Sequence, residues 1–168
     1  MASFEIIGGN KLKGELVPQG AKNEALQILC AVLLTPEKVT ISNIPNIRDV
    51  NKLIDLLRDL GVKVKQLSED TYEFTADNVD LEHLHSEEYK KKGSGLRGSI
   101  MVVGPMLGRF GKGYIPQPGG DKIGRRRLDT HFIGFQKLGA KFEYIAEEQF
   151  YKVEASNLQG CYMLLDEA

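Results

Sequence analysis

One pattern occurs twice in this chain, about 80 residues apart, and it limits the possible folds more than any other feature; the period exceeds the roughly 20–50 residues of solenoid repeats. The first copy opens with NEALQILCAVLL (23–34), apolar nearly all round, which predicts a buried helix with Asn23 as its N-cap. VTISNI follows as a strand and ends at Pro45. DVNKLIDLLRDLG then predicts an amphipathic helix, with Val50, Leu53, Ile54 and Leu57 on one face and Gly61 just past its end. VKVKQL and TYEFTA alternate with period two and predict a hairpin through Ser68, Glu69 and Asp70.

The second copy starts at GLRGSIMVVGPMLGRFG (95–111), again an apolar helix. RLDTHFIGFQKLG matches the earlier amphipathic segment, with Asp129 in the place of Asp49 and Leu138-Gly139 in that of Leu60-Gly61; AKFEYIA and QFYKVEA repeat the hairpin. Ahead of the first copy, SFEIIGG and LKGELVP read as strands. EEYKKKGSG (87–95) reads as a solvated turn, and CYMLLDEA as a strand opening a further copy. The fold class expected is α/β (α+β), two central helices covered by sheets and outer helices.

Composition narrows the function. The 168 residues carry a net charge of -1, so any cationic site is local and no global field draws nucleic acid or an anionic membrane. Cys30 and Cys161 both lie in apolar surroundings and read as buried, reduced thiols. No signal peptide opens the chain and no apolar run approaches membrane-spanning length, so a cytoplasmic protein is expected.

Positive charge gathers in QPGGDKIGRRR (117–127), within a loop read as running from Gly111 to Arg127. Loops of this length are often lids or binding loops. Of Arg125, Arg126 and Arg127, one or two suit a forked grip on phosphate, although a solvated basic turn gives the same sequence. Asp121 is the one carboxylate among them. Cations keep a carboxyl ionised, but anionic substrates and a dry site would raise its pKa and let it donate a proton; a salt bridge to Lys122 or an arginine is the bland alternative. Lys22 and Asn23 open the first apolar helix and Arg97 the second. A helix start already favours anions, and a cation there strengthens the site, unless these are merely solvated ends. His83 and His85 alternate without other clustered ligands, so no metal is expected.

GELVPQGAKNEALQILCAVLLT, LRGSIMVVGPMLGRFG and PQPGGDKIGRRRLDTHFIGFQKLGA resemble the UDP-N-acetylglucosamine enolpyruvyl transferases over the whole chain. The resemblance implies an inside-out α/β barrel of the enolpyruvyl transferase type, helices inside and sheets outside, incomplete here as an N-terminal fragment. It implies that residues 1–21 are strands that cross to the other domain, and that 22–168 form two repeats of the catalytic domain plus the start of a third. It implies transfer of the enolpyruvyl group from phosphoenolpyruvate to the sugar 3'-hydroxyl of UDP-N-acetylglucosamine, the first committed step of peptidoglycan synthesis, without a cofactor, in concert with a C-terminal domain of the same chain.

Carried over position by position, the resemblance gives Lys22, Asn23 and Arg126 to phosphoenolpyruvate. It gives Arg97, Arg126, Arg127, Leu128, Asp129, Thr130 and His131 to the sugar nucleotide, and Asp121 to proton donation. Most relatives carry Cys at position 121, and many carry Pro where Arg127 stands. A carboxyl still donates a proton but lacks sulfur's reactivity, so insensitivity to the epoxide fosfomycin is expected. The shikimate 3-phosphate transferases share fold and reaction, but GAKNEAL and PGGDKIGRR suit the sugar-nucleotide branch better. A non-catalytic phosphate- or RNA-binding module is the rival of another class; the net charge and the lack of aromatics among the basic residues weigh against it.

Overall fold

The computed structural model describes residues 3–116, 128–147 and 150–164. Helix α1 (Lys22–Ala31) runs into a 3-10 turn (Val32–Leu34) and is followed by β1 (Lys38–Ile41), α2 (Arg48–Asp59), β2 (Lys63–Gln66) and β3 (Tyr72–Thr75). A 3-10 turn (His83–His85) and α3 (Glu87–Ser94) lead to the second unit. There a 3-10 turn (Arg97–Val102) continues into α4 (Val103–Phe110), then β4 (Lys112–Pro116), α5 (Asp129–Lys137), β5 (Lys141–Ile145) and β6 (Phe150–Glu154).

The repeat is borne out in topology. Each unit folds its three strands into an antiparallel sheet with the last strand in the middle, in the orders β1-β3-β2 and β4-β6-β5. Val39, Phe74 and Val64 share one rung, and Gly113, Val153 and Phe142 share its counterpart. Phe74 and Val153 are both fully buried. Gly61 and Gly139 end the outer helices with φ of +87° and +96°, a left-handed turn that a Cβ would strain.

α1 packs on the 3-10 turn Arg97–Val102, and its own terminal turn packs on α4, so the two inner helices run parallel with their starts together. The amphipathic reading of α2 holds, with Val50, Leu53, Ile54 and Leu57 all buried. One main core spans both units, joining Leu29, Leu33, Leu53 and Phe74 to Met106, Tyr114 and Phe150. A smaller cluster of Ile100, Val103, Leu107, Ala140 and Val153 lies under α5, where Phe132 and Phe135 pack on it.

Several expectations are corrected. Residues 3–19 form no strands: Phe4, Ile6, Leu12 and Leu16 are 86–98% exposed, and without a neighbouring strand the backbone has no ladder to join. The apolar α1 is buried on one side only, with Ile28 and Leu34 about half exposed. The segment 87–94 is a helix, not a solvated turn. Ser86 caps it by accepting from the Tyr89 backbone N–H at 3.1 Å, and Tyr89 anchors it in the core. Residues 112–116, expected as loop, are strand β4. Cys161 is exposed; only Cys30 is buried. Residues 161–164 form no strand.

Candidate active site

Lys22, Asn23 and Arg97, three of the expected site residues, lie at the starts of the inner helices. α1 begins at Lys22, with Ala21 as N-cap and no side-chain cap, so Asn23 lies inside the first turn and is not the cap expected for it. The amides of that first turn lie ahead of the helix's own hydrogen-bond ladder and carry the positive end of its dipole. The second inner helix opens as a 3-10 turn, whose N-cap Leu96 is extended. Gly98 explains how closely the two starts approach. A Cβ on it would lie 3.1 Å from Leu26 Cδ1, one turn along α1 from Lys22. Arg97, half-buried, is therefore held beside the first turn of α1.

Ser99, buried on this turn, donates to the Gly93 carbonyl at 2.9 Å and fixes the turn to the end of α3. Lys22 Nζ lies 2.8 Å from Asp49 Oδ2, in the first turn of α2, with the two side chains 50% and 39% exposed. The acid favours the start of α2, where it stands, and offsets the like-signed meeting of Lys22 with the start of α1.

Of the described residues expected to meet the nucleotide, Leu128 to His131 open α5. Leu128 is its N-cap and Asp129 its first residue. Leu128, Asp129 and Thr130 are half-buried and His131 is exposed. Leu128 packs against the cluster that contains Ile100, one turn beyond Arg97. Lys22, Asn23 and Arg97 thus share one end of the inner helix pair, and Leu128 ties α5 to that pair. Asp121, Arg125, Arg126 and Arg127 lie outside the described residues. The pairing of Asp49 with Lys22 was not expected, although the place of Asp49 in the repeat, matching Asp129, was legible.

Residues 6–166 match the family model described as EPSP synthase (3-phosphoshikimate 1-carboxyvinyltransferase). Over all 168 residues the chain is 61% identical to the UDP-N-acetylglucosamine 1-carboxyvinyltransferase of Bacteroides thetaiotaomicron and 59% identical to that of Porphyromonas gingivalis. It spans 39% of the length of each of these relatives. Among solved structures, the enolpyruvyl transferase NikO from Streptomyces tendae superposes with a TM-score of 0.71 at 19% identity, over 92% of this chain and 33% of that one. EPSP synthase from Acinetobacter baumannii gives 0.52 at 11% identity, over 88% and 33%. At such identities the structural likeness speaks for the fold.

Proposed function

The chain belongs to the EPSP synthase (3-phosphoshikimate 1-carboxyvinyltransferase) family, and from that premise we propose that it is part of an enzyme transferring the enolpyruvyl group of phosphoenolpyruvate to the 3'-hydroxyl of UDP-N-acetylglucosamine. Identity of 61% to relatives named for that reaction supports the choice of acceptor. The observation that carries the site is the parallel packing of the inner helices, which brings Lys22, Asn23 and Arg97 to one end. Two cations at joined helix starts suit a substrate bearing a phosphate and a carboxylate.

In this reading Lys22 and Asn23 hold phosphoenolpyruvate, with Arg126. Arg97, Arg126 and Arg127, with Leu128 to His131, hold the nucleotide. Asp121 gives a proton to C3 as the sugar oxygen bonds to C2 and its hydroxyl proton passes to a base supplied by the rest of the protein. The C2–O bond to phosphate then breaks with its electron pair on the phosphate oxygen, a base there takes a proton from C3, and the enolpyruvyl ether and inorganic phosphate remain. The whole protein completes an inside-out barrel, with residues 3–19 and the open side of α1 covered by parts beyond this chain. The exposed Phe4, Ile6, Ile28 and Leu34 support that reading. Peptidoglycan synthesis is the role this reaction serves.

The family description favours shikimate 3-phosphate as a second acceptor, and one experiment separates the two. Amide shifts of the 168-residue chain are followed by NMR during titration with UDP-N-acetylglucosamine and, separately, shikimate 3-phosphate. Shifts at Leu128 to His131 with the nucleotide alone are expected. Shifts with shikimate 3-phosphate alone would exchange the acceptor, and shifts with neither would remove the site.

A further inference from the structure

The mechanism above gives no role to two carboxylates near Lys22, Glu24 in the first turn of α1 and Asp49 in that of α2, and Asp49 is the one in contact with it. Asp49 is neither a proton donor nor an anion ligand, yet its carboxylate lies 2.8 Å from the ammonium of Lys22. The two residues are 27 apart in sequence, and the contact exists because the first turns of α1 and α2 meet. We propose that Asp49 is a positioning residue that acts through Lys22, a built-in counter-ion that any anion at the inner-helix starts must share or displace. The inference rests on reading Lys22 as an anion ligand.

Two effects of Asp49 oppose each other, and their sizes decide the sign. It orders the lysine side chain, which would favour binding. A surface ion pair this exposed holds its partners weakly, so that contribution is a factor of a few at most. It also places a negative charge a few ångströms from any anion gripped by the same ammonium. For a phosphate dianion near a protein surface, that repulsion amounts to about tenfold or more before salt screens it. Repulsion wins, so Asp49 weakens anion binding. The consequence for turnover is release: when phosphate departs, Lys22 passes to Asp49 and is not left as an unpaired cation at a helix start, where the dipole disfavours it.

Inorganic phosphate is the probe, titrated into the 168-residue chain and followed at the amides of residues 20–24 and 97–99. Asp49→Asn and Asp49→Ser both remove the charge, and Ser suits a helix start if Asn misfolds. Each should bind phosphate about 3- to 10-fold more tightly than the parent, with Asp49→Glu close to the parent. The gain should shrink at high ionic strength, as a packing effect would not. Parent-like or weaker binding in both folded neutral variants overturns the role of Asp49 and leaves the anion site standing. Failure of the parent and both neutral variants to bind phosphate overturns the site and this inference together.

Discussion

Gly98 carries more of the site than its size suggests. With Leu26 Cδ1 3.1 Å from where its Cβ would lie, alanine asks the leucine to yield by a few tenths of an ångström. A branched side chain would force the inner helices apart. Gly98→Val should therefore lose about 1–3 kcal/mol in urea unfolding, and its phosphate affinity should fall because Arg97 moves off the first turn of α1. Cys30 gives a second prediction. Burial pushes its thiol from the ordinary 9.0 up to about 12. The unfolded chain releases that proton above about pH 9 while the folded chain keeps it, so the folded state binds more protons in this window. The contribution is fully present below pH 9 and is lost as pH rises toward 12, at up to about 1.4 kcal/mol per pH unit. Urea midpoints measured across that range should fall more steeply for the parent than for Cys30→Ala; equal slopes would contradict the assignment. At this scale the sequence was informative where the property is local. Lys22 and Arg97 are legible as cations at helix starts because charge and helix position are both written nearby. The Lys22–Asp49 pair was not, because it depends on two helices meeting.

The elements were legible where hydrophobic period and turn residues agree. α2 and the two hairpins follow their patterns, with Gly61 and Gly139 closing the outer helices where a positive φ is needed. Helix α3 was missed because EEYKKKGS has one large apolar residue and looks solvated. Its stability comes from tertiary contacts: Tyr89 is buried with its hydroxyl donating to the Tyr114 carbonyl at 3.4 Å, and Lys92 pairs with Asp59 of α2. The local signals are Ser86 as N-cap and the acids-first, lysines-last order of the segment, with Glu88 and Lys92 paired one turn apart. Ser86→Ala should cost about 1 kcal/mol and should speed amide exchange in α3 before it does so in β4; uniform loss across both would mean that the cap is not local. The N-terminal strands failed for the opposite reason. Their pattern suits a strand, but a strand needs a neighbour, and none of the described strands pairs with residues 3–19.

At the scale of the whole molecule, the repeat describes how the chain is built but not how it unfolds. The main core crosses the unit boundary, and Arg109 of α4 donates to the carbonyls of Leu33 at 3.0 Å and Ala76 at 2.8 Å, both in the first unit. Removing that guanidinium leaves two part-buried carbonyls without this donor, which costs about 1–3 kcal/mol for each group fully deprived. Arg109→Met keeps much of the side-chain volume and should therefore destabilise the shared main core to which those carbonyls belong. The second unit is nevertheless the thinner one: no residue of α5 is fully buried, and among the described residues the buried members of its cluster are Ile100, Val103, Leu107, Ala140 and Val153. Little apolar surface then opposes local opening of α5 and β5, whereas opening β3 would expose Phe74 in the main core. Native-state amide exchange should show α5 and β5 opening at a lower free energy than β2 and β3. Arg109→Met should lower the protection of β2 and β3 and leave the α5 opening nearly unchanged. Equal loss in all four elements would mean that the chain opens only as a whole. Loss confined to the second unit would mean that the shared core does not couple the two. The order matters for the proposed function because α5 carries Asp129, Thr130 and His131: its nucleotide side would be the first to loosen, while Lys22 and Asn23 stay anchored on the inner helix that the main core holds.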